Sequence, residues 1–211
     1  MRSSVLFPSA ACVLLLLVSC TMTSAFSLSA PLERTLTRAV ALQFGMHVTP
    51  DAAENPIDPP ERFIGYHVGL DYEIFDDELD HDVPVYAICD GEVLRSGFVN
   101  GYGGLLIQRC TIGGESVTVL YGHLDEKELA KQRTILYAGD PLGLLAPPRS
   151  HWSDGNRKHL HLGIHRGKSI DYRGYVQTEE ELQDYRDPAS VLPFGAAGRP
   201  VDKFHVPETK R

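Results

Sequence analysis

The sequence has little positive charge to spare. Its 211 residues carry 20 Lys and Arg against 28 Asp and Glu, a net charge of -8. That balance excludes a general nucleic-acid binder working through a basic face. The chain also has no comfortable transmembrane helix in its apolar run at residues 10–18, which falls well short of the ~20 residues a span requires. Cysteine is scarce, at four residues, and never occurs in the close pairs that mark zinc fingers and ribbons. No internal repeat exists, so a solenoid or propeller is excluded. Acidic residues are dispersed except for DDE at 76–78 and EEE at 179–181, which read as a solvated loop and a solvated helix start.

The beginning of the chain, MRSSVLFPSAACVLLLLVSC, pairs a basic start with a short apolar stretch, the build of a signal peptide. It ends in LVSC at residues 17–20, which resembles the lipobox of bacterial lipoproteins. Cys20 is then the acylated residue, and the protein is held to a membrane by a lipid anchor rather than spanning it. The small residues TSA at 23–25 offer an ordinary cleavage site instead. Either reading puts the mature chain in the extracytoplasmic bacterial cell envelope. Cys12 leaves with the signal. Cys89 and Cys110 remain, each near the end of an expected strand. An oxidising compartment permits a disulfide between them, and two separate buried thiols fit the sequence as well.

Residues 1–20 are thus a signal segment and 21–60 a tether and N-terminal segment, with one short amphipathic helix expected within 32–44. Four prolines in TPDAAENPIDPPERF argue against regular structure there. From about residue 61 to 195 the pattern is β, with a C-terminal tail at 196–211. PVYAIC and EVLRSG flank Asp90-Gly91, a hairpin signal. GLLIQRC and SVTVLYGHL flank Gly113-Gly114, which suggests a second hairpin. DPLGLL, KHLHLGIH and SIDYRGYV look like further strands, and TEEELQDYRD opens on a capping-box pattern, Thr178 followed by Glu181. The expected fold is mostly β: a small antiparallel sheet arranged as a sandwich or barrel, with a few short helices.

The chemistry gathers in two stretches. In HVGLD, residues 67–71, His67 and Asp71 share one face of a strand because the side-chain period is two, and Gly69 between them leaves room for an ion. In KHLHLGIH, residues 158–165, the odd positions His159, His161 and His165 share a face opposite Leu160, Leu162 and Ile164. Hydrolytic zinc sites usually combine three protein ligands with an open fourth position. His67, Asp71 and either His159 or His161 make such a set. The spare imidazole, with His123 of LYGHL, suits proton transfer and charge stabilisation beside the metal. The His-Glu-x-x-His helix of commoner zinc proteases is missing.

HVGLD, PVYAICDGEV, GYGGLLIQ, YGHL and HLHLGI, in that order, resemble the lysostaphin/LytM-type zinc metallopeptidases. The resemblance runs from about residue 65 to 164. It implies a small antiparallel β-sheet zinc metallopeptidase domain and an endopeptidase acting on bacterial peptidoglycan, with stem-peptide cross-links as the default substrate and one Zn²⁺ per chain. By motif, it implies His67, Asp71 and His161 as metal ligands and His123 and His159 as catalytic histidines. It alone ranks His161 over His159 as the ligand.

The chain departs from that pattern in two places. The link after Asp71, YEIFDDELDHDV, is longer and more acidic than usual, and His81 within it reads as a loop histidine. The loop before His159, APPRSHWSDGNRK, replaces a run of small residues. Trp152 and Arg157 within it are the candidates for a substrate groove. Two other readings fit the same motifs: a non-enzymatic module that activates other wall hydrolases, and a zinc peptidase acting on a protein substrate.

Overall fold

A computed structural model describes residues 28–193 and 198–207. The expected signal segment and its Cys20 lie outside those residues, as do residues 194–197 and 208–211. Among the described residues no helix is long and apolar enough to cross a membrane.

Eight strands form the main sheet: β1 (Ala39–Leu42), β2 (Gly69–Glu73), β3 (Gly91–Val99), β4 (Gly103–Ile112), β5 (Glu115–Leu124), β6 (Ile135–Leu136), β7 (His159–Arg166) and β8 (Arg199–Pro200). Their order is β6-β3-β4-β5-β7-β2-β1-β8, antiparallel throughout except for the parallel pair β1 and β8. The sheet is open rather than closed into a barrel. Short two- and three-stranded ribbons cover it, and the helices are brief 3-10 turns.

The β4–β5 hairpin forms as the glycine pair suggests. Ile112 and Glu115 close it, and Gly113 and Gly114 take φ of 63° and 84°, the left-handed pair a two-residue turn needs. The hairpin expected at Asp90-Gly91 does not form. Pro84–Tyr86 pairs with Pro141–Leu144 instead of β3, and the Asp90 carboxylate accepts from the Ala138 amide at 2.8 Å. Cys89 and Cys110 are joined by a disulfide across a Cα separation of 6.1 Å, which ties the entry of β3 to the end of β4.

The amphipathic helix expected within 32–44 is replaced by a 3-10 turn, Thr35–Thr37, and by β1. Val40 packs into the main core, while Ala41 and Leu42 join a second cluster with Val48 and Ile57. A strand buried on both faces has no alternation to read, only a short apolar run. The segment before residue 60 therefore adds a strand to the main sheet. The C-terminal tail is docked too, through β8 and through Phe204–His205 beside Ile57–Asp58. Of the strand expected across SIDYRGYV only Tyr175–Val176 is extended, because the Asp171 side chain turns the chain by accepting from the Arg173 amide at 2.8 Å. Thr178 and Glu181 do bond reciprocally, yet the helix they start is a five-residue 3-10 turn, Glu180–Asp184.

Candidate metal centre

Register brings the two chemical stretches together. β2 and β7 are antiparallel neighbours with Asp71 directly opposite His161 and Gly69 opposite Gly163. His67 closes a separate short strand, Gly65–His67, just before the chain enters β2. Gly69 serves the strands rather than an ion: a Cβ there would meet the Leu162 carbonyl and the edge of the His161 ring. On β7 both faces are buried. Leu160, Leu162 and Ile164 are fully covered, and His159 and His161 are covered as well. The half-exposed strand suggested by the alternation is thus a central strand roofed by loops. His165 leaves the group and packs edge-on against Tyr185.

His123 reaches the same face by a break in regular pairing. Gly122 pairs with both Leu105 and His161, and Leu124 with Gly104, so His123 is the extra residue of a bulge. Simple alternation would send it to the Tyr121 face, into the core. Its φ of 64° lies in the left-handed region, where a non-glycine residue is uncommon and such bulges re-aim a side chain. The ring then lies against His159 in a tilted contact, with centroids 4.2 Å apart.

Three donor atoms converge. His67 Nε2 lies 2.9 Å from His161 Nδ1, and Asp71 Oδ1 lies 3.1 Å from the former and 3.0 Å from the latter. All three residues are buried. The partners of the other ring nitrogens fix the chemistry. Backbone carbonyls only accept, so His67 Nδ1 carries the proton shared with Gln43 O at 3.3 Å. By the same argument His123 Nδ1–H donates to Tyr102 O at 3.0 Å and His159 Nδ1–H to Arg157 O at 3.0 Å. Each of these rings therefore turns an Nε2 lone pair away from its carbonyl.

For His67 that lone pair faces Asp71 Oδ1 and His161 Nδ1, an acceptor-rich corner that a cation relieves. The triangle's 2.9–3.1 Å edges are a few tenths short of the about 3.3 Å edge of a tetrahedron with Zn–N and Zn–O distances of 2.0–2.1 Å. His67, Asp71 and His161 therefore fit a small divalent cation.

Electrostatics follow from burial. Desolvation would raise the Asp71 carboxyl, but the His67 and His159 imidazoles hold it well below the usual carboxylate range. Burial and then the Arg157 charge push His159 down to about 4. Burial, followed by the neighbouring His159, pushes His123 well below its ordinary value, and burial lowers His161. Burial thus favours the neutral forms of His123, His159 and His161, the forms that ligands and bases require.

A cavity of about 240 Å³ opens onto this group. His123, His159 and His161 face it from one side, and Phe63, Tyr172 and Tyr175 supply an aromatic wall. Neither groove residue suggested by the sequence lies on its lining. Arg157 is buried at 2% exposure, bound to carboxylates, and lines a separate cavity with Glu61 and Asn156. Trp152 packs beneath the Lys127 ammonium, 4.6 Å from its ring centroid. The aromatic wall was missed from sequence because Phe63 and Tyr172 sit in irregular segments and Tyr175 in a two-residue strand, none long enough to give a periodic signal. His81 stays on an exposed loop, where its carbonyl accepts from Lys158 Nζ at 2.5 Å.

Peptidase family M23 matches residues 65–172 of the chain. No curated protein matches it. Similar solved structures include Helicobacter pylori Csd3, with 19% identity over 77% of this chain and 36% of that one and a TM-score of 0.45. This chain thus spans about a third of the Csd3 chain. The catalytic domain of the antimicrobial peptidase lysostaphin from Staphylococcus simulans has 20% identity over 69% and 88%, with a TM-score of 0.43. A zinc-containing peptidase from Vibrio cholerae has 20% identity over 65% and 36%, with a TM-score of 0.41.

Proposed function

The chain belongs to peptidase family M23, and on that premise we propose that it is a zinc-dependent endopeptidase cleaving peptide bonds in bacterial peptidoglycan. The observation that carries the proposal is the His67–Asp71–His161 triangle with the adjoining pair His123 and His159 at the wall of one cavity. The peptidoglycan substrate rests on the five ordered motifs that resemble lysostaphin/LytM-type enzymes, with stem-peptide cross-links as the bond. The signal segment supports work in the cell envelope, anchored through Cys20 if that residue is acylated.

His67, Asp71 and His161 hold the cation in this reading. Bound there, zinc would supply Lewis acidity to a carbonyl and lower the pKa of a water molecule toward ~7. The protein's own groups do the rest. His159, neutral and with Nε2 free of its carbonyl partner, accepts the proton released when water attacks the scissile carbonyl. His123, aimed by the bulge, stands beside it; it takes that proton from His159 on Nε2, and in this charged form stabilises the tetrahedral centre and delivers the proton to the leaving amine. The aromatic wall of Phe63, Tyr172 and Tyr175 excludes water and grips the peptide.

The test is digestion of purified wall sacculi by the protein, with and without chelator, and identification of released fragments by mass. Release of cross-link peptides that stops on chelation and returns with zinc is expected. Absent or chelator-insensitive release overturns the proposal. Enhanced release by a second wall hydrolase, with none by the protein alone, points instead to an activator.

A further inference from the structure

Arg157 is a long cation sealed beneath a cation site. It precedes β7, is 2% exposed, and its guanidinium meets three carboxylates. Its Nε and one terminal nitrogen clasp Glu73 at 2.6–3.1 Å. The same terminal nitrogen donates to Asp71 Oδ2 at 2.9 Å, and the other bonds Glu61. Glu73 stands on β2, two residues beyond Asp71 and opposite His159. Glu61 comes from the proline-rich segment, beneath the Tyr175 side of the cavity. The fork is thus fixed on both flanks, and the contact with Asp71 lies between them.

The two oxygens of Asp71 have different company. Oδ1 faces His67 Nε2 and His161 Nδ1. Oδ2 is held by Arg157 and lies 3.2 Å from His159 Nε2. We propose that Arg157 is a positioning residue for the metal: it commits Oδ2, so Asp71 offers the cation a single oxygen in a fixed orientation. A positive charge beside a divalent cation is unfavourable by itself. Glu73 and Glu61 offset it by occupying the remaining edges of the guanidinium. The planar fork can bind three carboxylates in set directions, and a lysine ammonium cannot reproduce that geometry. The inference rests on the zinc reading above.

The rival is a purely structural role, in which Arg157 only neutralises Glu73 and Glu61 and stitches the segment before β7 to β2. Arg157→Lys separates the two, because it keeps the charge and removes the fork. Zinc affinity is measured by competition with a chromophoric chelator, ligand geometry by the visible spectrum of the cobalt-substituted protein, and folding by the melting of the metal-free form.

Arg157→Lys and Arg157→Gln are expected to bind zinc about 10–100-fold more weakly and to shift the cobalt spectrum, and zinc-edge absorption of the parent protein is expected to report a monodentate carboxylate. Parent affinity and parent spectrum in a folded Arg157→Lys variant overturn the proposal, even if Arg157→Gln fails to fold. If neither variant folds, a bidentate carboxylate in the zinc-loaded parent overturns it and a monodentate one upholds it. A parent protein that binds no zinc defeats the zinc reading instead, so the two failures are distinct.

Discussion

The ring centroids of His123 and His159 lie 4.2 Å apart, with their planes inclined by 34°, although the two residues come from different strands and one of them stands in a bulge. Two imidazolium ions at that distance, sealed from water, would repel strongly. The pair therefore works with both rings neutral or with one proton between them. Asp71 Oδ2 lies 3.2 Å from His159 Nε2, on the side where such a proton is best tolerated. On the proposed reading they are a proton-handling pair beside the metal, and the histidines of β7 divide into two roles.

That division is open to experiment. His161 belongs to the donor triangle and His159 does not. His161→Ala is expected to lose bound zinc, measured by metal analysis after dialysis. His159→Ala is expected to keep most of its zinc while turnover falls about 10²–10⁴-fold, the usual scale for losing a general base. If His159→Ala loses metal as fully as His161→Ala, the roles assigned here are wrong.

Acid should unfold the metal-free protein early. His159 sits at about 4 in the folded state, and His123 and His161 are also lowered, against an unfolded value near 6.5. Between those limits the unfolded chain binds more protons than the folded one, so stability rises with pH. The contribution is fully present above about pH 6.5 and drains away as pH falls toward the folded values. The depressed Asp71 carboxyl acts in the same sense at lower pH. Thermal midpoints of chelator-treated protein at pH 7.5, 6 and 5 should decline in that order. A midpoint independent of pH across this range would falsify the account.

Much of the site was legible in the sequence because it rides on periodicity. His159 and His161 on one face, and Asp71 two residues beyond Gly69, follow from strand alternation. Register, which period alone does not give, brings Asp71 opposite His161. The misread parts have physical causes. Arg157 looked like a surface residue because arginines usually are. Only the fold reveals Glu61, Glu73 and Asp71 gathered around it from 84 to 96 residues away. The segment at 32–44 looked helical because a strand buried on both faces has lost the alternation that identifies strands. The bulge at His123 depends on cross-strand pairing and has no one-dimensional signal.

Gly69→Ala tests how tightly the strand pair is built. A Cβ at that position meets the Leu162 carbonyl and the His161 ring edge, and backbone cannot swing aside as a flexible side chain does. The added methyl must push β2 from β7 or rotate His161. A loss of about 1–3 kcal/mol in denaturant unfolding is expected, together with weakened zinc binding. Gly113→Ala controls for general glycine effects, because open space surrounds that position. It should cost stability through its positive φ and leave zinc affinity untouched. Equal zinc affinity in both variants would sink the idea that the close approach of the strands at Gly69 holds the His161 ring in place.

The acidic insert after Asp71 makes its own contribution, through Glu78. Its carboxylate receives both terminal nitrogens of Arg38 at 2.7 Å, and Arg38 is 1% exposed. Burial alone would raise the Glu78 carboxyl; the hydrogen bonds from Arg38 and the Phe75 amide bring it down to about 2. Removing this carboxylate leaves Arg38 with the Glu33 and Glu73 carbonyls and the face of the Phe75 ring, a buried charge without a carboxylate partner. Glu78→Ala should therefore cost about 3 kcal/mol. The effect should extend beyond the pair, because Lys158 Nζ is held by the carbonyls of Glu78, Leu79 and His81 and Lys158 leads directly into His159. Hydrogen exchange should accordingly quicken at the start of β7 in Glu78→Ala. In the double variant Arg38→Met/Glu78→Leu, which removes both charges, much of the lost stability should return. If the double variant is as unstable as Glu78→Ala, the loss comes from packing of the insert and not from the stranded guanidinium.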